Sequence, residues 1–308
     1  MGNYNVYLPS YSVGAGCYSE IPKVARRLGN KAIVIGGRTA IDKAKQALLD
    51  GISGSDMKII DFIVYGDDST YENVDKLVND ERVKNADIIF GVGGGRAVDT
   101  TKVVADKLDK PLFTFPTLGS NCAAVTAICV MYNEDHTFKE YYYLEGPADH
   151  TFIDTQIIAE SPEDLFWAGI GDALSKECEA VYSSKGVNLA HTPLMGVGVS
   201  KICTEPLIKY GKKALEDCKN NQDSEELKQV ALDIIISTGI VSNLTTTEND
   251  YYYNSSLAHA FYNGSTLVEG ARGLHGEVVS FGVLTLLTCA GEIEKRNEIA
   301  AFNKSLGL

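Results

Sequence analysis

Positive charge is the first scarcity in this chain: 28 lysines and arginines face 41 aspartates and glutamates, a net charge of −13. That balance argues against nucleic acid or an anionic membrane as a partner, because nonspecific binding to either needs a basic surface. Any phosphate the protein holds must therefore be gripped locally. Cysteine occurs seven times, an odd number, scattered and without a CxxC pair. A disulfide framework is thus not expected, and the thiols read as those of a reduced, cytoplasmic protein. No basic stretch followed by an apolar core opens the sequence, so no signal peptide is expected. The longest mostly apolar run, residues 278–290, is interrupted by Ser280, Gly282, Thr285 and Thr288. It falls short of the ~20 residues a bilayer requires and reads as a buried helix. Histidine is scarcer still, with five in the chain, so the setting of each is informative.

At 308 residues, 44% apolar and 22% charged, the sequence has an ordinary globular make-up but exceeds the usual size of one hydrophobic core. Between residues 31 and 115, β-branched runs (32–35, 58–64, 86–90, 112–115) alternate with amphipathic helical stretches (40–49, 71–79, 97–108). That alternation predicts a Rossmann-like parallel sheet covered on both faces. The runs 127–132 and 138–143 flank Asn133-Glu134-Asp135-His136-Thr137, a hairpin signal with an exposed histidine in its turn. Beyond Ser161-Pro162-Glu163-Asp164, a helix-start signature, periodicity turns helical over 162–183, 189–210, 224–243, 255–264 and 276–294. We expect an α/β nucleotide-binding domain over 1–158 and an all-α domain over 159–308.

Two loops attract attention in the first half. Gly91-Val92-Gly93-Gly94-Gly95-Arg96 follows an apolar strand and opens a helix carrying Asp99 and Lys102. Glycines let backbone approach a pyrophosphate, and helix N-terminal amides stabilise its charge. The spacing is not G-x-G-x-x-G, since Arg96 takes the last glycine's place. A tight strand-to-helix turn without a ligand would look the same, and Arg96, Asp99 and Lys102 could equally be solvated helix charges. The second loop, Pro116-Thr117-Leu118-Gly119-Ser120, leaves the carboxyl end of the next strand, the edge where open α/β sheets bind ligands.

In the second half, three polar residues stand on apolar backgrounds: Asp172 in Gly171-Asp172-Ala173-Leu174, His259 in Leu257-Ala258-His259-Ala260, and His275 in Leu274-His275-Gly276-Glu277. Any one alone would serve as a helix-dipole, core or cap residue. Together they form the ligand set of a catalytic Zn²⁺ or Fe²⁺ site with positions left open for substrate. Their spacing is too irregular to choose between the two readings.

Residues 91–102, Pro116-Thr117, Gly171-Asp172-Ala173-Leu174, Ala258-His259-Ala260 with Asn263-Gly264, and His275-Gly276-Glu277 with Phe281-Gly282 together resemble the iron-containing alcohol dehydrogenase superfamily, nearest its glycerol dehydrogenase branch. The resemblance runs in order from about residue 4 to the end. The resemblance implies a Rossmann-like domain, a helical domain and an active site in the cleft between them, with Asp172, His259 and His275 as metal ligands. It implies a cofactor-binding set of Gly37, Arg38, Gly93, Gly94, Gly95, Arg96, Asp99, Thr117, Ser120, Thr126, Ile128 and Tyr132. Relatives commonly form homo-oligomers through dimers.

Five departures from the family pattern stand out. Lys176 occupies the place of a further histidine in iron-type members, favouring the three-ligand zinc type over iron. Cys122 stands where glycerol dehydrogenases have a substrate-touching aspartate, and Tyr262 where they have a second histidine. Gly36-Gly37-Arg38 lacks the acidic residue of NAD-selective members, which leaves NAD or NADP open, since Arg38 reads equally as a partner for a 2′-phosphate or as an exposed residue near a helix start. The chain ends at residue 308, where the family continues through further helices. The expected function is hydride transfer between NAD(P) and a small alcohol, polyol or ketone, the metal acting as Lewis acid on the substrate oxygen. Alternatives are a glycerol-1-phosphate dehydrogenase-like enzyme using Lys176 and Arg272 for the phosphate, a more distant dehydroquinate synthase-like lyase, and a catalytically silent nucleotide-binding homologue.

Overall fold

A computed structural model describes residues 5–246, 253, 255–268 and 273–308. Two compact units emerge, one from Met1–Leu118 with Ala123–Ile158, the other from Gly119–Cys122 with Ala159–Leu308. The first holds β1 (Tyr11–Val13), β2 (Lys31–Gly36), β3 (Lys58–Val64), β4 (Ile88–Gly93), β5 (Leu112–Pro116), β6 (Ile128–Tyr132), β7 (Phe138–Tyr143) and β8 (His150–Ile153). Six of these form one parallel sheet in the order β1-β8-β5-β4-β2-β3.

Alternation along the central strands explains why the sheet is buried on both faces. Ala32 and Val34 of β2 join Phe90 and Val92 of β4, Phe113, Phe115 and Phe152 under the helix Arg38–Gly51. Their neighbours Ile33, Ile35 and Ile89 turn to the opposite face and pack on Val103 and Val104 of Gly95–Leu108 and Val74 and Leu77 of Tyr71–Val78. Each such side chain contributes about 1.5–3 kcal/mol when fully buried, so a one-residue slip in register would be strongly disfavoured. β6 and β7 form the expected hairpin, its ladder running from Ile128↔Tyr143 to Tyr132↔Phe138. β1 and β8, three and four residues long, are too short for alternation to reveal.

The second unit is helical, but three of the runs that the periodicity predicts are each divided into two helices. The run 162–183 divides at Leu174 into Glu163–Ala173 and Ser175–Ser183, where the Ser175 hydroxyl donates to the Asp172 carbonyl at 2.7 Å and competes with the helix ladder. The run 189–210 divides into His191–Ser200 and Thr204–Lys219. A proline ring clashes with the carbonyl four residues back, so Pro206 fits only in the first turn of the second helix. The run 276–294 divides into His275–Cys289 and Ile293–Leu306 at Gly291, which adopts φ 77°. Glu225–Thr245 is continuous but contains a π-helical turn, Asp233–Ser237. Among the described residues it is the one helix long and apolar enough to cross a bilayer, and most of it is buried within the protein.

Candidate metal centre and nucleotide turn

Close backbone approach builds the centre of the helical unit. Helix His275–Cys289 lies so near Glu163–Ala173 that a Cβ on Gly276 would stand 1.7 Å from the Ala168 carbonyl oxygen and 2.9 Å from the Asp172 nitrogen. A Cβ on the facing Gly171 would meet the Gly276 oxygen at 2.5 Å. The glycines flanking Asp172 and His275 are therefore what lets these two side chains meet. Helix Leu257–Ser265 crosses at Ala258, whose carbonyl oxygen lies 2.6 Å from the Cβ position of Gly282, and this brings in His259.

One donor atom from each of Asp172, His259 and His275 falls within 4.8 Å of the others. The Nε2 atoms of His275 and His259 stand 3.1 and 3.5 Å from Asp172 Oδ1, yet this buried oxygen receives no well-formed hydrogen bond. A tetrahedral ion with donors at ~2.1 Å holds neighbouring donors about 3.4 Å apart, close to the two imidazole-to-carboxylate distances. An orphaned carboxylate oxygen facing two imidazole nitrogens is a donor set that a divalent cation satisfies. The Asp172 and His259 side chains are 15% and 19% exposed and His275 is 42% exposed, so the centre opens on the His275 side.

Glu179, which no motif in the sequence marks, fixes His259. Its carboxylate accepts from the backbone N–H groups of Ser256 at 2.7 Å and His259 at 3.0 Å, and lies 2.5 Å from His259 Nδ1. With Nδ1 tied to a carboxylate, the Nε2 lone pair is free for a metal. Burial by itself would lower the His259 pKa, but the charges and hydrogen bonds of Glu179 and Asp172 outweigh it and push it up to about 9. Burial opposes ionisation of Asp172 too, and the His275 and His259 imidazoles overcome it, holding the carboxyl well below the usual range. Tyr262 packs edge-on against His275, ring centroids 4.3 Å apart, and limits its rotation. Lys176 is buried and Cys122 partly exposed; Arg272 lies outside the described residues.

In the sheet unit, chain order reverses between β2 and β4, the switch point where open α/β sheets bind ligands. Gly93 adopts φ 141°, and a Cβ there would stand 3.4 Å from Ala40 Cβ and 3.7 Å from the Gly37 nitrogen. The turns after the two strands are thus adjacent. Their helices begin with Gly37 and Gly94 as N-caps, without a side-chain cap or an acidic residue in the first turn. By contrast, Thr70 and Ser224 cap theirs with side-chain oxygens. Open first-turn amides at two neighbouring helix starts suit a pyrophosphate. Gly95 and Arg96 open the second helix, exposed Arg38 opens the first, and Thr117, buried, donates its N–H to the Gly93 carbonyl at 3.3 Å. Ser120 is partly buried in the segment Gly119–Cys122.

Asp99, Thr126 and Ile128 gather elsewhere. Lys102, fully buried, pairs with Asp99 at 2.8 Å and donates to the carbonyls of Ala123, Thr126 and Ile128 at 2.9, 3.2 and 2.7 Å. Asp99 accepts the Val130 N–H at 3.0 Å, and burial raises its pKa against the pull of Lys102. Asp99 and Lys102 are therefore interior struts tying β6 to the helix, not solvated helix charges.

Residues 9–155 match the family described as iron-containing alcohol dehydrogenase. Over 310 residues, 97% of this chain and 80% of the relative, the sequence is 29% identical to a glycerol dehydrogenase of Thermotoga maritima. It is 27% identical to a glycolaldehyde reductase of Halobacterium salinarum over 97% of this chain and 81% of that one. Among solved structures, glycerol dehydrogenase from Schizosaccharomyces pombe superposes with a TM-score of 0.85 at 24% identity, covering 99% of this chain and 77% of the other.

Proposed function

We propose that this chain is a glycerol dehydrogenase-like member of the iron-containing alcohol dehydrogenase superfamily, to which its sequence and fold are similar, and that Asp172, His259 and His275 hold its divalent ion. The protein is a metal-dependent oxidoreductase acting on CH–OH donors, with NAD(P) as hydride carrier and a small alcohol or polyol as substrate. The convergence of three donor atoms within 4.8 Å carries the assignment of the ligands. We read the ion as zinc, since two imidazoles and one carboxylate are a three-ligand catalytic zinc set and Lys176 adds no ligand.

Bound there, the ion supplies Lewis acidity to the oxygen of a hydroxyl or carbonyl group. Asp172 brings the negative charge of the centre, Glu179 orients His259, and the exposed side of His275 leaves room for substrate. The open amides after Gly37 and Gly94 hold the pyrophosphate, and Thr117 and Ser120 serve the ribose or nicotinamide. Arg38, following a stretch without a carboxylate, admits the 2′-phosphate of NADP beside NAD. Seven free thiols favour a reducing, cytoplasmic setting.

The test is metal analysis of the purified protein combined with turnover of glycerol, dihydroxyacetone and glycolaldehyde with both nicotinamide cofactors. We expect about one ion per chain and activity on at least one of these compounds. Asp172→Ala should lose both, and a variant that kept full metal content and turnover would refute the ligand assignment.

A further inference from the structure

Asp68, in the loop after β3, is fully buried, yet both side-chain groups that meet its Oδ2 belong to half-exposed residues. Arg96 Nη1 donates at 2.9 Å and His136 Nδ1 lies at 2.7 Å, their side chains 50% and 54% exposed. The Ser69 N–H donates to Oδ1 at 2.8 Å, so the carboxylate is held from both sides. The Arg96 guanidinium also lies over the Tyr132 ring, 4.8 Å from its centroid. Tyr132 in turn is fixed to the same loop, its N–H donating to the Ser69 carbonyl at 2.9 Å. His136 sits in the hairpin turn at φ 66°, its N–H closing on the Asn133 carbonyl at 2.9 Å.

These contacts restrain a flexible side chain at one place. Arg96 is the second residue of Gly95–Leu108, beside the open amides of the glycine turn. A guanidinium presents five N–H donors in a planar fork, and only one nitrogen is engaged by Asp68. Ring stacking sets the plane and the buried carboxylate sets the direction, so little rotamer entropy is left to lose when an anion arrives. In a chain of net charge −13, a local grip of this kind is needed for a phosphate.

We infer that Arg96 is a preset clamp for the diphosphate of the nucleotide, and that Asp68 and His136 are its positioning residues, making the hairpin turn part of the cofactor site. This rests on the dinucleotide reading of the glycine turn. ADP and adenosine are the probes, titrated calorimetrically against the metal-loaded protein. Arg96→Gln should weaken ADP binding about tenfold or more and leave adenosine unchanged. His136→Ala, on the surface and safe for folding, and Asp68→Asn should each weaken ADP severalfold. Neither should add to the loss when combined with Arg96→Gln, whereas a merely structural role would give additive losses. Wild-type protein that binds ADP no better than Arg96→Gln does, or additive losses in the double variants, would overturn the clamp alone. Wild-type protein that binds neither ADP nor NADH would overturn the dinucleotide reading and the clamp with it.

Discussion

His259 Nδ1 and Glu179 Oε2 stand 2.5 Å apart, and the carboxylate is itself fully buried. The backbone N–H groups of Ser256 and His259 also bind Glu179, so its position does not depend on the His259 imidazole. We expect Glu179→Gln to keep the fold and to weaken divalent metal binding by about 10–100-fold, measured by competition with a chromogenic chelator. Unchanged affinity would mean that His259 is oriented by packing alone.

Removing the ion should lower stability as well as activity. A ligand that binds only the folded state stabilises it by about 2.7 kcal/mol at one hundred times its dissociation constant. Thermal unfolding of chelator-treated protein should therefore shift upward when Zn²⁺ is restored, and the shift should vanish in Asp172→Ala. An equal shift in both proteins would place the ion elsewhere.

What could be read from the sequence follows from how strongly each feature contrasts with its surroundings. Asp172, His259 and His275 are polar residues in apolar helices, and β2 and β4 are unbroken β-branched or apolar runs, so both stood out. The hairpin is marked by five turn residues between two runs rich in β-branched and aromatic residues. Glu179 did not, because Glu177 beside it is chemically equivalent in sequence and only the break at Leu174 decides which carboxylate faces His259. Asp68 was hidden in the same way beside Asp67. Asp99 and Lys102 looked like surface charges three residues apart on a helix, and only the hairpin folded against them makes them interior.

Gly276 tests whether backbone contact sets the metal geometry. A methyl group there would lie 1.7 Å from the Ala168 carbonyl oxygen, which no side-chain movement can relieve. Gly276→Ala should separate the two helices, lower the melting temperature and abolish stoichiometric metal binding. Gly198, in helix His191–Ser200, has open space at its Cβ position, so Gly198→Ala should be neutral or stabilising by up to ~1 kcal/mol. Equal effects of the two substitutions would contradict this account.

Asp233 gives the protein a stability that depends on pH. It lies in the π-helical turn, 2% exposed, and neither carboxylate oxygen receives a well-formed hydrogen bond. Burial pushes its pKa up to about 8, against slight help from Ser237. Below about pH 4 the group is neutral in both folded and unfolded chains and costs nothing by ionisation. As pH rises from there to about 8, the unfolded chain releases the proton while the folded one retains it, so stability falls across this window. Above about 8 both states are ionised and the loss is complete. Asp233→Asn cannot ionise, so the stability difference between variant and wild type, from urea midpoints at pH 5 and pH 9, should shift toward the variant at pH 9, by a few kcal/mol in order of magnitude. Parallel pH dependence in the two proteins would show that this carboxylate is already ionised inside the fold at neutral pH.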